Sequence, residues 1–425
     1  MYPNITVNFG NLLLSLSDAM DLASPLIASH QQRTAFIAWE ICKSAGLPEH
    51  ATEEIFVAAL LHDVGAITPE EKINIQKFEE CDTETHCIRG ELFLEGEIWL
   101  QPAAQLVRHH HREWCLWNKN IDEPAVLGSQ IILLSDYLER KVKRNRYILL
   151  QNKSLTKTIQ SLSGKKVHPQ VVNYFLETAH REEFWLDLAS PRLYSLLLNH
   201  GPYKRLEVDL ADITRIAKVF RNIIDFRSQY TATHSSGVAE CAATIARLFG
   251  FTETETELVE VAGNLHDIGK LVVPNSILNK AGKLTTRDFA IIKQHPYHTF
   301  SILNTIGGLR DIAEWAAFHH EKLDGSGYPF HHRANKLSTQ SRIVTIADMF
   351  TAMSENRPYR VGMKQEWVLA ELRKQAEANT LDKQIVGLLH DNYQDIRQSI
   401  SEKQSITQAY YDKKFAVLAA EKEPV

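Results

Sequence analysis

Long hydrophobic runs are missing from this 425-residue sequence: nothing approaches the roughly 18 apolar residues of a membrane helix, so no span is expected. The apolar patch from Leu12 to Leu16 has neither a basic flank nor a small-residue cleavage site, which argues against an export signal. Cysteine is sparse. Cys42, Cys81, Cys87, Cys115 and Cys241 are odd in number and none sits in a Cys-x-x-Cys pair, which argues against a disulfide framework or thiolate zinc site. A reducing, cytoplasmic location is expected. Basic excess is lacking too, and a formal net charge of −5 argues against general binding of a nucleic-acid polymer. Alternating strand patterns are scarce.

What the sequence does have is helical periodicity, and length enough for two or three domains that each bury a core. Apolar residues recur at helical spacing from Asn11 onward (Leu13, Leu16, Met20), then over Thr34 to Ala45, Glu53 to Leu61, Ala103 to Arg108 and Pro124 to Arg140. Breaks fall at Gly46-Leu47-Pro48, Gly65, Pro69 and Pro102. The expected fold class is all-α.

The pattern also repeats. SHQQRTAFIAWEICKSAG, from Ser29, aligns with THSSGVAECAATIARLFG, from Thr233, and AALLHDVGAI aligns with AGNLHDIGKL, both at an offset of 204 residues. His30 therefore pairs with His234, and His62-Asp63 with His266-Asp267. Farther on the offset drifts: His86 aligns with His295, His109-His110 with His319-His320, Asp136 with Asp348, and HPQVV at His168 with DKQIV at Asp382. Loop insertions account for the drift, since added loop residues cost little closure entropy. Two tandem homologous helical-bundle domains are expected, residues 1–202 and 203–425, with Gly201-Pro202 at the junction. Lys141 to Lys166, rich in lysine and arginine, reads either as a solvated face or as an anion-attracting surface.

Chemistry concentrates in the second half. His234, His266, Asp267, His295, His319, His320 and Asp348 fall in helical segments or at their ends. Neutral imidazoles suit iron, manganese, nickel or zinc better than calcium or magnesium. Five imidazoles and two carboxylates exceed the four ligands of a closed zinc site and suit a two-metal centre open to water and substrate. Behind His319-His320 a loop runs to Pro329, in which Gly325 and Gly327 permit tight turns and Pro329 fixes the exit. Its Tyr328 either lines a binding pocket or packs the loop onto the bundle. Lys270, one turn after His266, can reach a phosphate at the same centre.

The runs HDIGK (His266–Lys270), HHEKLDGSGYP (His319–Pro329) and DMFTAMSENRPYR (Asp348–Arg360) together resemble the HD-GYP family of cyclic dinucleotide phosphodiesterases. That resemblance implies that His234, His266, Asp267 and Asp348 hold one metal ion, while Asp267 bridges to a second held by His295, His319 and His320. Iron or manganese are the metals it implies. It also implies hydrolysis of cyclic di-GMP or 3′,3′-cyclic GMP-AMP to a linear dinucleotide or on to mononucleotides. Asp267 and Lys270 would be catalytic, with Lys270, Tyr328, Arg357 and Arg360 on the substrate. Some members bind a third metal through a glutamate four residues before the first histidine; here that position is Tyr230, so two ions are expected. Lys322 stands where many relatives have arginine, which keeps the charge but not the two-pronged geometry. A non-catalytic sensor of the nucleotide, acting through protein partners, is the alternative; the intact ligands and Lys270 favour the enzyme.

The first half keeps His30, His62, Asp63, His86, His109, His110 and Asp136 as a candidate second metal site. It has Ala66 in place of the lysine, only HREWCLWNKN (His111–Asn120) in place of the Gly-Tyr-Pro loop, and no Arg-Pro-Tyr-Arg run after Asp136. A degenerate HD domain is expected, one that does not hydrolyse substrate and serves as a regulatory or dimerising partner, for example in a homodimer.

Overall fold

The computed structural model describes residues 5–22, 27–77, 83–203, 205–227, 233–280, 282–355 and 362–420. They are overwhelmingly helical, as the periodicity predicts, with strand confined to two residues each at Val7–Asn8 and Glu207–Val208. The chain divides into two compact units, Asn8–Leu206 and Met1–Val7 with Glu207–Val425. Among the described residues no helix is long and apolar enough to cross a membrane.

In the second unit the helix His234–Phe249 packs against Glu253–Leu265, Thr339–Ser354 and the long helix Tyr393–Ala420. Small buried residues make the first of these contacts close: a Cβ on Gly263 would lie 2.7 Å from the Ala239 backbone. Local signals set the helix ends. Thr252 and Glu255 form a capping box, Asp209 and Ser338 accept from backbone amides three residues on, and Gly250 at φ 95° closes His234–Phe249. The chain therefore leaves Glu253–Leu265 at His266-Asp267, on the buried side of the bundle.

The first unit repeats this plan with His30–Ser44 packed against Glu49–Leu61 and Pro124–Lys141, the helix that carries Asp136. The segment from His168 onward closes its bundle through aromatic packing. Phe36 stacks on Phe184 with ring centroids 5.8 Å apart, and Phe175 and the buried Trp185 complete the cluster. Helices begin earlier than their apolar periodicity, at His30 rather than Thr34 and at Glu49 rather than Glu53. Each first turn is largely polar, so it carries no apolar signal even where its side chains are buried.

One contact recurs in both units and positions the site. The turn after each His-Asp pair presses on the backbone of the next histidine's helix. A Cβ on Gly269 would lie 2.0 Å from the His295 carbonyl oxygen, and one on Gly65 would lie 2.0 Å from that of His86. Only glycine permits this approach. Gly269→Ala is expected to push the His295 helix away and destabilise the domain by about 1–3 kcal/mol. Denaturant unfolding against the wild type measures this, and an unchanged midpoint would count against the contact.

Candidate metal centre

His266 ends one helix, His295 begins another and His319 lies two residues beyond Arg310–Ala317. At each of the three, Nδ1 meets the carbonyl oxygen three residues back: Gly263 at 2.8 Å, Ile292 at 2.7 Å and Ala316 at 2.6 Å. A carbonyl only accepts, so Nδ1 carries the proton and Nε2 turns its lone pair toward the domain centre. His234 is oriented by a side chain instead, with the Glu355 carboxylate 3.0 Å from its Nδ1.

Asp267 stands between these rings. Its Oδ2 is 3.2 Å from His266 Nε2, whereas its Oδ1 is 3.4 Å from His295 Nε2 and 3.9 Å from His319 Nε2. Asp348 offers Oδ1 to His234 Nε2 at 3.1 Å and to His266 Nε2 at 3.9 Å, and Oδ2 to His320 Nδ1 at 3.7 Å. Three overlapping groups result, His234 with His266 and Asp348, His266 with Asp267 and His319, and His295 with His319 and His320; within each, the donor atoms lie no more than 4.8 Å apart. All seven residues are buried except His320, whose side chain is 26% exposed. His266 Nε2 and Asp267 Oδ1 are buried without a hydrogen bond. Such orphaned lone pairs are costly unless a cation or proton satisfies them. The donor set fits divalent transition-metal ions.

Charge in the site follows from burial and neighbours. Burial pushes His295 down to about 3 and His319 down to about 4, so both are neutral ligands near pH 7. Burial also pushes His234 down, but the carboxylates of Glu355 and Asp348 outweigh it and hold that imidazole up at about 10. Burial pushes the Asp267 carboxyl up, and His266 and Lys270 overcome this and hold it well below the usual carboxylate range. Lys270 Nζ rests against Asp267 Oδ2, so the ammonium that the sequence places near the phosphate sits on the central carboxylate. Behind the centre, Asp225 accepts the Ser235 hydroxyl at 2.6 Å, and burial raises its carboxyl to about 7.

The loop after His320 is held by Glu321, a buried carboxylate that accepts the Phe330 and His332 amides at 2.7 and 2.9 Å. A Cβ on Gly327 would lie 2.4 Å from Glu321 Cα, which explains that glycine. Phe330 anchors the exit against Phe318 and Phe300, with ring centroids 5.3 and 5.6 Å away. The half-buried Tyr328 ring lies 4.9 Å from the His320 ring with Lys293 Nζ above it, and its amide donates to the His320 carbonyl. Its backbone thus packs the loop onto the bundle while its ring stands beside a candidate ligand. Arg357, Arg360 and Tyr230 lie outside the described residues.

In the first unit, His62 and His110 set Nδ1 on the Ala59 and Val107 carbonyls at 2.9 and 2.6 Å, and His30 Nδ1 lies 2.6 Å from Glu139. One assignment from the sequence is corrected here. Two groups converge, His30 with His62 and Asp63, and Asp63 with His86, His110 and His111, whereas His109 remains inside its helix with its ring 5.2 Å from Trp117. His110-His111, not His109-His110, corresponds to His319-His320. The signal was present: His86 to His110 and His295 to His319 both span 24 residues. Glu139, Glu355 and Glu321 carried no such signal, because Glu139 follows Asp136 by three residues and Glu355 follows Asp348 by seven.

The HD domain family matches this chain twice, over residues 218–385 and 27–141. The chain is 28% identical over 407 residues to the 3′3′-cGAMP-specific phosphodiesterase 1 of Vibrio cholerae, covering 93% of this chain and 94% of that one. It is 33% identical over 329 residues to phosphodiesterase 3 of the same specificity and organism, covering 74% of this chain and 70% of that one. A crystal structure of a V. cholerae cyclic GMP-AMP specific phosphodiesterase shares the fold, with a TM-score of 0.63 at 23% identity over 92% of this chain and 98% of that one.

Two outcomes are expected of this geometry. Glu355→Gln removes the charge behind His234 and should weaken metal binding by roughly 10- to 100-fold; calorimetric titration with manganese tests it, and unchanged affinity would remove Glu355 from the site. Asp225 has a folded pKa above its unfolded one, so its contribution to stability is greatest below about pH 4 and is lost as pH rises through about 7. Asp225→Asn should flatten that slope in thermal unfolding between pH 4 and 7, and an unaltered slope would refute the assignment.

Proposed function

We propose that this chain, which belongs to the family of HD-domain phosphodiesterases that includes the V. cholerae 3′,3′-cGAMP-specific enzymes, hydrolyses a 3′,3′-cyclic dinucleotide at the centre of its second domain. The observation that carries this reading is the placement of Asp267, whose two oxygens face different histidines, Oδ2 toward His266 and Oδ1 toward His295 and His319. A carboxylate so placed can be shared between two cations. His234, His266 and Asp348 would complete one position, and His295, His319 and His320 the other. Two divalent ions there, iron or manganese, would lower the pKa of water and neutralise charge on the phosphoryl oxygens.

The remaining steps belong to the chain's own residues. Lys270, resting on Asp267, would meet a phosphate oxygen as a point charge and protonate the leaving oxygen. Tyr328 would form a wall against a base or ribose, held in place by Glu321 and Phe330. Arg357 and Arg360 are proposed as phosphate contacts from the family pattern. Hybrid cyclic GMP-AMP is the substrate we favour over cyclic di-GMP, because relatives of that specificity align over most of this chain. The first domain lacks the lysine, with Ala66 in its place, and the loop, so it is assigned a regulatory role without hydrolysis.

Protein loaded with iron or manganese should convert 3′,3′-cyclic GMP-AMP to a linear dinucleotide, resolved by chromatography beside cyclic di-GMP. Asp267→Ala and His295→Ala should abolish turnover, and Lys270→Ala should lower kcat by roughly 100-fold or more. No turnover of either nucleotide by the loaded wild type would overturn the reading.

A further inference from the structure

Asp63 faces its histidines at nearly the distances that Asp267 does; what differs is that His111 falls in one group with Asp63, whereas His320 groups with His295 and His319 without Asp267. Asp63 Oδ1 lies 3.5 Å from His86 Nε2 and 3.9 Å from His110 Nε2, and the two nitrogens lie 3.3 Å apart. A donor of His111 joins them, and all four atoms fall within 4.8 Å of one another. Tetrahedral zinc with bonds of 2.0–2.1 Å sets its donors roughly 3.4 Å apart, so these separations leave room for one small cation and little else. Asp63 Oδ1 and His111 Nε2 are buried without a hydrogen bond. His110 gives its Nδ1 proton to the Val107 carbonyl, which turns a lone pair toward that carboxylate oxygen. Lone pairs facing a carboxylate repel unless a cation lies between them.

In the other half of the cluster, where donors of His30, His62 and Asp63 also lie within 4.8 Å of one another, guanidiniums stand beside the carboxylates. Arg140 lies 2.7 Å from Asp136, and Glu139 takes Arg144 at 2.9 Å and Arg33 at 3.6 Å. No arginine holds the second domain's counterparts among the described contacts: Asp348 faces histidines, and Glu355 takes His234 and the neutral amide of Gln404. A cation beside His30 and His62 would thus gain less from the carboxylates there.

We infer that the first domain holds a single structural divalent ion of the zinc class, closed by Asp63, His86, His110 and His111, and not an open two-metal centre. Four protein ligands leave no position for water or substrate, and a closed site contributes folding energy instead of catalysis. In the second domain the corresponding group is three histidines, and the part-exposed His320 leans toward Asp348, which keeps that centre open. This inference does not depend on which reaction the second domain performs.

Metal analysis of the full-length protein, prepared with zinc, tests it without reference to activity. His110→Ala should lose one equivalent of metal per chain and His30→Ala none, with circular dichroism confirming the fold of each. If His110→Ala does not fold, the milder His111→Asn should release one equivalent to a chelator faster than the wild type does. Unchanged metal content in His110→Ala, unchanged release from His111→Asn, or loss of an equivalent in His30→Ala would each overturn the inference.

Discussion

His266, His295 and His319 each commit Nδ1 to a carbonyl oxygen three residues earlier in the chain, and the arrangement of the second domain's centre depends on those three hydrogen bonds. They fix the tautomer, so that each ring presents a lone pair and not a proton to the middle of the bundle. Because the carbonyls lie at helix ends, where they have no intrahelical partner, the same geometry that terminates a helix orients a ligand. Thr299 secures the turn between two of these histidines, its hydroxyl donating to the His266 carbonyl at 2.9 Å and accepting the Gly269 amide at 3.1 Å.

Around that scaffold, small differences in charge separate the two domains. In the second, Lys270 rests on the central aspartate, and among the described residues the aspartate and glutamate nearest His234 meet histidines and an amide. In the first, Ala66 removes the lysine while guanidiniums occupy Asp136 and Glu139. Both halves keep converging imidazoles, so the scaffold survives where the substrate-handling residues do not. The loop tells the same story: Glu321 clamps two amides in the second domain, whereas Arg112 in the first turns to the Leu116 carbonyl and the Trp117 ring.

Much of this was legible beforehand where it depended on local chain chemistry. Helical periodicity, the repeat, the His-Asp pairs and the glycine after them could all be read directly, because each is a spacing along one segment. His111 was missed because alignment drift placed the pair one residue early, although the shared span of 24 residues gives the register. Glu139 and Glu355 were missed for a different reason. Both reach the first histidine of their domain, at 2.6 and 3.0 Å, but from positions in the chain that do not correspond.

The sequence by itself determined that this is an all-helical, duplicated protein of the HD-domain family, and that its second copy alone carries a lysine and a glycine-tyrosine-proline loop. These follow from residue types at fixed separations. Only the tertiary structure decided which histidines share a centre, which carboxylates stand behind them and which already have a guanidinium on them. Those are relations between helices more than 100 residues apart, such as His234 with Asp348 and Glu355, and they are set by packing that no local pattern encodes.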